Sequence, residues 1–459
     1  MELMLPTSGD NVAGRISERQ LSEIWRHQWL GGALTTEDGE PLKVLYAGRV
    51  NDDRGGDFRD AVIALGDRTV TGDVELHVNS RDWVGHGHHQ DARYNRVVLH
   101  VVFRNNASAF TRLQDGREIP VLALGNVAAP HLLEEPSTFG RRQGRPCPGV
   151  VTRRGESEVA GWIEEAGDAR FAEKAKRFRD QLAMAEPGQT MYQGIMEAMG
   201  YSRNKEPFLE LAQRLPLAAL EELAARRSTD TECYARIHTV LIETAGFLVP
   251  EPSNAEGEVE RPGNRPVRSS PLDWDVFRAR PNNSPLIRMA AMAELVVRYR
   301  RRGLLRSLLG GLSDSPLDGG CKRLENALSV PRGEYTCSDG SPQAANCCPL
   351  GISRARDIVV NVLLPFAHAF GEAKGDPDLS QKSVALYHRH GRLAGNCVER
   401  HMACQLGLSG GFVNSARRQQ GLLHIYSRFC IRGRCGTCPL GQFQVRHHIE
   451  AEAIDRVAP

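Results

Sequence analysis

Residues 70–81 of the chain read VTGDVELHVNSR, and the alternation of polar and apolar side chains in this stretch is typical of a β-strand. Successive side chains of a strand point to opposite faces of its sheet, so Asp73, Glu75 and His77 share one face. The valine and leucine residues between them share the other face, which we expect to contact a core. The polar face carries two carboxylates at i and i+2, and a bound divalent cation would relieve their mutual repulsion.

The same strand pattern recurs on both sides of this segment. Turn-forming pairs such as Gly55-Gly56 and Asp115-Gly116 separate the runs LKVLYAG, AVIAL, NRVVLHVVF and IPVLALG. Ahead of them, residues 17–30 have the apolar spacing of an amphipathic helix that begins at a capping box of Ser17 and Gln20. We therefore predict an α+β fold, in which an N-terminal helix and a mostly antiparallel or mixed sheet precede a mainly α-helical C-terminal region.

A chain of 459 residues is too long for one ordinary core, so we expect several domains. The strand patterns end near residue 135, and polar, proline-rich stretches separate the regions with helical patterns. The predicted parts are an α/β domain at 1–135, a basic linker at 136–156, a helical region at 157–250, a flexible loop at 251–271, and a helical region at 272–459 that ends in a Cys-rich metal-binding segment.

The composition is that of an ordinary globular protein, with 41% hydrophobic residues, 25% charged residues and a net charge of +2. Because the net charge is small, affinity for nucleic acid would have to come from local basic patches. The N-terminus has no apolar leader and no run of about 18 apolar residues occurs, so we expect neither secretion nor membrane insertion. Eleven cysteines, an odd number concentrated late in the chain, favour metal binding in a reducing cytoplasm over a disulfide framework.

A second group of polar residues accompanies the acidic strand. Asp57 follows a glycine turn just before a predicted strand, and His86, His88 and Asp91 come soon after the acidic strand. His100 interrupts an otherwise apolar run. A solvated face of an antiparallel sheet would also show alternating polar residues. Five histidines within 24 residues exceed what such a face needs, so we regard this group as candidate metal ligands and acid–base groups.

Four motifs in this region are similar to those of an uncharacterised bacterial family, domain of unknown function 2851. They are N-x-x-x-G-x-D-F from Asn51, G-D-V-E-L-H from Gly72, W-x-x-H-x-H-x-x-D-x-x-Y from Trp83, and V-x-L-H-V-V from Val97. Further matches, among them the closing C-x4-C-x2-C, extend the resemblance over nearly the whole chain. The family itself lends no established activity.

That family in turn resembles the PD-(D/E)XK nuclease superfamily. The resemblance implies a restriction-endonuclease-like core sheet flanked by helices, with Asp57 and Glu75 as ligands of Mg²⁺ or Mn²⁺. His77 stands where the superfamily has lysine, and glycine precedes Asp57 where proline is expected. A neutral histidine could act as a general base or bind Mn²⁺, but it lacks the permanent charge of lysine. Superfamily nucleases often add an acidic residue from the first helix, for which Glu18 and Glu23 are both available.

The function that this resemblance implies is metal-dependent hydrolysis of phosphodiester bonds in DNA or RNA. His77 would orient or deprotonate the attacking water, with His86, His88 and Asp91 near the substrate or the leaving group. Two other classes of protein remain open: a nucleic-acid-binding or scaffold protein that has lost activity, and a hydrolase that uses a histidine-bound metal on a non-nucleic substrate. Arginines at 141–154 and 298–306 could contact phosphates, or could form solvated helix ends.

Three cysteines near the C-terminus, Cys430, Cys435 and Cys438, have the spacing C-x4-C-x2-C. Three thiolates on a tight loop can share one metal centre, which then needs a fourth ligand. The spacing is similar to that of Fe–S binding loops, and some nucleases related to the superfamily hold a cluster with one distant and three close cysteines. We predict a 4Fe–4S cluster or zinc, with ordinary reduced thiols as the remaining interpretation. The candidates for the fourth ligand are Cys147, which we prefer, Cys348 and Cys397.

Overall fold

The structure is a computed structural model that describes residues 16–30, 33–51, 53–125, 147, 150–226, 229–247, 272–276, 283–331 and 349–441. The predicted linker at 136–156 lies mostly outside these residues, and the predicted loop at 251–271 lies wholly outside them. Contacts within the chain define two compact units. The first unit comprises Met1–Ala166, Gly395–Phe412 and Gly421–Pro459, and the second comprises Gly167–Ala394 and Val413–Gln420.

The first unit is built on a mixed sheet. Its strands are β1 (Leu34–Thr35), β2 (Pro41–Tyr46), β3 (Arg49–Val50), β4 (Phe58–Leu65), β5 (Arg68–Asn79), β6 (Val97–Arg104), β7 (Phe110–Arg112) and β8 (Glu118–Ala123). They are ordered β1-β2-β4-β5-β6-β8-β7, with β3 paired to β4. The β5–β6 and β6–β8 pairs are parallel and the others are antiparallel. The predicted strands are all present, and the sheet is mixed because β5 and β6 are joined by a crossover segment.

The described part of the chain contains these α-helices in order: α1 (Glu18–His27), α2 (Asp82–Gly85), α3 (Val150–Arg154), α4 (Glu156–Leu182), α5 (Pro187–Met199), α6 (Lys205–Arg214), α7 (Leu217–Ala225), α8 (Asp230–Thr244), α9 (Pro285–Arg298), α10 (Leu304–Ser313), α11 (Gly320–Leu328), α12 (Ile352–Ile358), α13 (Leu364–Lys374), α14 (Pro377–Arg389), α15 (Cys397–Leu406) and α16 (Ala416–Arg428). None of the helices in these described ranges is long and apolar enough to cross a membrane.

Helix α1 packs its apolar side on the sheet. It begins with the predicted capping box, in which Ser17 accepts from the Gln20 amide and the Gln20 side chain accepts from the Ser17 amide. Leu21, Ile24 and Trp25 are almost fully buried and join the core that contains the apolar side chains of β4, β5 and β6. This packing leaves the other face of β5, with its polar residues, free to form a site.

The second unit is mainly helical, as the sequence predicts. Its core is one large cluster that includes Phe178, Tyr192, Phe208 and Phe366, each less than 2% exposed. A π-helical turn at Val359–Leu363 joins α12 to α13. The buried apolar area of this cluster is the main stabilising contribution to the unit.

Candidate metal site on the N-terminal sheet

A β-hairpin places Asp57 beside Glu75. Strands β4 and β5 pair in the register Phe58↔Val74, so Asp57, which immediately precedes β4, comes next to Glu75. The amide of Asp57 donates to Oε2 of Glu75 at 3.0 Å, and the amide of Leu76 donates to Oδ2 of Asp57 at 3.0 Å. The two carboxylates that the sequence selected as metal ligands therefore lie together.

Gly56 allows the turn before β4 to approach β5 closely. A Cβ atom at Gly56 would lie 2.9 Å from Cβ of Asp73 and 3.2 Å from the carbonyl oxygen of Val74. No side chain fits there, so the close approach of the two strands requires glycine at this position. The carboxylate of Asp73 binds other partners than Glu75. It accepts from the backbone amide of Asp60 at 3.3 Å and lies 3.5 Å from the guanidinium group of Arg96.

The surrounding protein disfavours the charged form of both carboxyl groups. Glu75 is only 5% exposed, and burial, with a further contribution from the charge of Glu18, raises its pKa to about 8. Asp57 keeps an exposed surface, but its carboxyl group faces the strand; desolvation there and the neighbouring Glu75 raise its pKa to about 7. Two adjacent carboxyl groups that resist ionisation are an arrangement that a bound cation would stabilise.

Three histidines lie close together, and two of them, His77 and His88, are within 4.0 Å of the Glu75 carboxylate. One nitrogen atom from each of His77, His86 and His88 lies within 4.8 Å of the other two. Nε2 of His77 is 3.1 Å from Nδ1 of His86, and Nε2 of His88 is 3.1 Å from Oε1 of Glu75. Metal–nitrogen bonds of about 2.1 Å place tetrahedral ligand atoms roughly 3.4 Å apart, so these separations suit a shared ion. Within the described ranges, no other three His, Cys, Asp or Glu side chains come this close together.

His77 is oriented by a row of polar groups behind it. Its Nδ1 is 2.9 Å from Nε2 of His100, and Nδ1 of His100 is 2.8 Å from Oγ1 of Thr111. We infer the tautomers from this network: when His100 donates to Thr111, its Nε2 accepts from His77, which leaves the Nε2 lone pair of His77 facing the other histidines. Burial lowers the pKa of both His77 and His100 to about 3, so both rings are neutral at physiological pH.

Aromatic rings enclose the polar face of β5. Tyr94 stacks on His88 with ring centroids 3.9 Å apart, and Trp83 meets His77 edge-on at 6.4 Å. The indole nitrogen of Trp83 donates to the carbonyl oxygen of Arg112 at 3.2 Å, which holds the ring in place. His77 is 1% exposed as a result. The alternative interpretation of this strand as carrying a solvated polar face is therefore wrong.

Asp91 is not drawn into the histidine group. It caps the short 3₁₀-helix Ala92–Tyr94 and binds the guanidinium group of Arg93, which lowers its pKa. The negative charge of Asp91 favours the protonated form of the His88 ring, although burial lowers the pKa of His88 overall. The structure gives Asp91 a role in ordering its loop, and its predicted place near the substrate or the leaving group stays a prediction.

Of the two acidic residues of helix α1, the structure places Glu18 near the site. The charge of Glu18 raises the pKa of both Asp57 and Glu75. Glu23 instead forms ion pairs with Arg26 at 3.5 Å and with His27 at 3.1 Å on the surface of the helix. The sequence did not choose between the two, because both occupy the same helix.

For three supporting residues the sequence did not predict the role that the structure shows. His100 was visible as a polar interruption of an apolar strand, and Tyr94 as part of a motif, but neither pattern shows which ring the residue touches. Thr111 belongs to the short strand β7 and carries no sequence signal. Its contact with His100 depends on the order of strands β6, β8 and β7 in the sheet.

Part of one predicted basic patch has a structural role. Arg298 donates to the carbonyl oxygens of Ala327 and Ser329, and Arg300 pairs with Asp230 at 2.8 Å. These contacts hold the ends of helices of the second unit together. The other patch, at 141–154, lies mostly outside the described residues.

The C-terminal cysteines approach the preferred fourth cysteine. Burial raises the pKa of the Cys430 thiol. The neighbouring thiols of Cys147, Cys435 and Cys438 raise it further. Cys397 acts on Arg49 and is not among the thiols that raise the pKa of Cys430, and Cys348 is outside the described residues.

Fold and site together define an α+β protein with a cluster of potential metal ligands on its N-terminal sheet and a separate helical unit. The chain belongs to the family described as "Protein of unknown function (DUF2851)", whose sequence model matches residues 18–391, more than half of the chain. No curated protein and no solved structure matches the chain.

Proposed function

We propose that the N-terminal sheet carries the active site of a metal-dependent hydrolase that cleaves phosphodiester bonds. The observation that supports this most is the contact between Asp57 and Glu75 on neighbouring strands, with His88 3.1 Å from Glu75. Paired carboxylates beside imidazoles form a donor set for a divalent cation. The nuclease superfamily that the sequence resembles uses the same pair of carboxylates, which is why we choose phosphodiesters as the substrate class.

The donor set favours a transition metal over Mg²⁺. Mg²⁺ prefers oxygen ligands in octahedral geometry, whereas imidazole nitrogen suits manganese, iron and zinc. A site with two carboxylates and up to three imidazoles fits Mn²⁺ best among the ions that nucleases use. When bound, such an ion would supply an activated water and neutralise negative charge on the phosphate.

His77 serves as a ligand in this proposal and not as the base. A general base is most effective when its pKa is near the working pH, and burial lowers the pKa of His77 to about 3. Its ring is instead fixed by His100 with a lone pair directed at His86. This orientation accounts for histidine in place of the usual lysine: the position supplies a neutral ligand and no permanent positive charge.

The experiment is cleavage of labelled single-stranded DNA, double-stranded DNA and RNA in the presence of Mn²⁺, Mg²⁺ or Zn²⁺. We expect cleavage with Mn²⁺ and a loss of at least about 100-fold in Glu75→Gln, since the isosteric amide keeps the fold but removes a charged ligand. Asp67→Asn is the matched control, because Asp67 is exposed at the tip of the same hairpin. Absence of cleavage of every substrate with every ion would contradict the proposal.

One observation favours a second candidate function, a hydrolase of a non-nucleic substrate with a tightly held metal. Three imidazoles and Glu75 form a more nitrogen-rich set than phosphodiester cleavage requires. In that case metal analysis would find a transition metal that survives dialysis and is lost in His86→Ala, and no nucleic acid would be cleaved. Salt-dependent binding of nucleic acid without cleavage would instead indicate a scaffold protein.

A further inference from the structure

Four cysteines of the first unit form a group that the proposed hydrolase does not use. We call it the cysteine site; its members are Cys147, Cys430, Cys435 and Cys438. Three of them are at most 5% exposed, and Cys435 is half-buried. The thiol of Cys430 is close enough to the other three for each of them to raise its pKa. None of the eight cysteines that the structure describes takes part in a disulfide.

The loop that carries three of these cysteines is tightly built. Cys430 and Cys435 each begin a short 3₁₀ turn, and Gly433 between them has φ of +62°. A Cβ atom at Gly433 would lie 3.1 Å from Cγ1 of Val62 on strand β4, and one at Gly441 would lie 2.3 Å from the carbonyl oxygen of Cys435. Both positions require glycine, because the loop lies directly on the sheet and folds back on itself.

The loop also directs backbone donors at one of the sulfurs. The backbone amides of Leu440 and Gly441 donate to the sulfur of Cys438. Hydrogen bonds of this kind commonly surround the sulfur ligands of iron–sulfur and zinc centres.

The spacing of the sulfur atoms distinguishes two kinds of centre. A single zinc ion with Zn–S bonds of about 2.3 Å would hold the sulfurs roughly 3.8 Å apart. No three of the described cysteines bring their sulfurs within 4.8 Å of one another. The cysteine site is therefore wider than a single ion requires, and a larger inorganic centre fits it better.

We propose that the cysteine site binds a [4Fe–4S] cluster, which links Cys147 to the C-terminal loop that lies on the N-terminal sheet. The four thiolates are the complete ligand set for such a cluster. Its role here is structural, because the cluster joins segments that lie far apart in the sequence.

The test is anaerobic purification of the full-length protein, reconstitution with ferrous iron and sulfide, and measurement of iron, acid-labile sulfide and zinc. We expect about four iron and four sulfide per chain, with the broad visible absorption of a cluster. Cys438→Ser should lose most of the iron. Cys404→Ser, which changes an exposed cysteine of the same unit, should retain it.

Two results would overturn the proposal: a wild-type protein that holds no iron after reconstitution, or one that holds about one zinc per chain in place of iron. Equal iron content in Cys438→Ser and Cys404→Ser would do so as well. Because a Cys438→Ser protein could fail to fold, the wild-type measurement stands by itself, and circular dichroism of the variant is recorded alongside. The outcome is independent of the hydrolase proposal, since no nucleic acid is involved.

Discussion

At the scale of single residues, the orientation of His77 depends on a residue that lies outside the histidine group. Thr111 binds His100, and His100 fixes His77. Groups of this kind, which hold a ligand from behind, typically contribute 10–100-fold to metal affinity. They do so by preorganisation. A ring that is already held in its binding orientation loses less rotational freedom when the metal binds, so the binding is tighter.

We predict that Thr111→Val lowers the affinity for Mn²⁺ or Zn²⁺ by roughly 10–100-fold. Valine keeps the shape of threonine but removes the hydroxyl group that accepts from His100. Titration calorimetry measures the change. Thr111→Ser keeps the hydroxyl group and should bind like the wild type. Equal affinities of the valine and serine variants would show that the row of polar groups does not orient the ligand.

The carboxyl groups give a second residue-scale prediction, on pH. In the metal-free protein the pKa of Glu75 is raised to about 8 and that of Asp57 to about 7. A raised folded-state pKa means that stability is fully present below the ordinary pKa and is lost as pH rises through the folded value. We therefore expect the chelator-treated wild type to lose stability relative to Glu75→Gln between about pH 5 and about pH 8.

Thermal unfolding of both proteins over this pH range measures the difference. The comparison with Glu75→Gln is needed because His77 and His100, whose pKa values are lowered, cost stability in the opposite direction as pH falls below about 6.5. Added Mn²⁺ should reverse the loss in the wild type, since a bound cation favours the ionised carboxylates. If the stability of the two proteins changed with pH in the same way, the raised pKa of Glu75 in the folded protein would be contradicted.

At the scale of elements, the hairpin of β4 and β5 is the unit that creates the site. Its register sets Asp57 against Glu75, and the parallel pairing of β5 with β6 sets Glu75 against His100. At Gly72, strand β5 passes close to strand β6 and the residue before it. A Cβ atom there would be 2.4 Å from Cγ1 of Val98 and 2.5 Å from the carbonyl oxygen of Arg96.

We predict that Gly72→Ala lowers the free energy of unfolding by roughly 1–3 kcal/mol, because the strands must separate to admit the methyl group. The same separation would misalign His77 and His100, so metal affinity should fall as well. Urea unfolding and metal titration are the measurements. Gly85→Ala is the control, since a Cβ atom at Gly85 meets nothing within 4 Å. If the Gly72→Ala variant were as stable as the wild type, this result would contradict the close approach of the two strands at Gly72.

At the scale of the whole molecule, the N-terminal sheet is completed by segments from the other end of the chain. Tyr426, on helix α16, donates to Oδ2 of Asp60 at 2.8 Å, and Tyr46 on β2 meets His401 on α15 at 2.6 Å. Burial and the charge of Asp60 raise the pKa of Tyr426, so its hydroxyl group stays a donor at all ordinary pH values. The predicted bounds of the first domain include none of these C-terminal segments.

We predict that Tyr426→Phe lowers the free energy of unfolding by about 1.5–3 kcal/mol, the usual range for a hydrogen bond to a charged acceptor. Denaturant unfolding followed by tryptophan fluorescence measures it. A double-mutant cycle with Asp60→Asn separates this bond from other effects, because most of the cost should disappear when the acceptor is changed. If Tyr426→Phe costs the same in both backgrounds, the contact does not join the two ends of the unit.

Local sequence patterns were enough to predict the elements of the sheet domain and the residues of the candidate site. The period of two in β5, the capping box at Ser17 and the glycine turns depend on neighbours in the chain, so local patterns predicted the strands, helix α1 and the candidate ligands Asp57, Glu75 and His77. The burial of the polar face, the approach of Glu18 rather than Glu23, and the support of His77 by Thr111 through His100 could be seen only in the folded chain. Those facts depend on strand order and on packing between distant segments, and no local period carries that information.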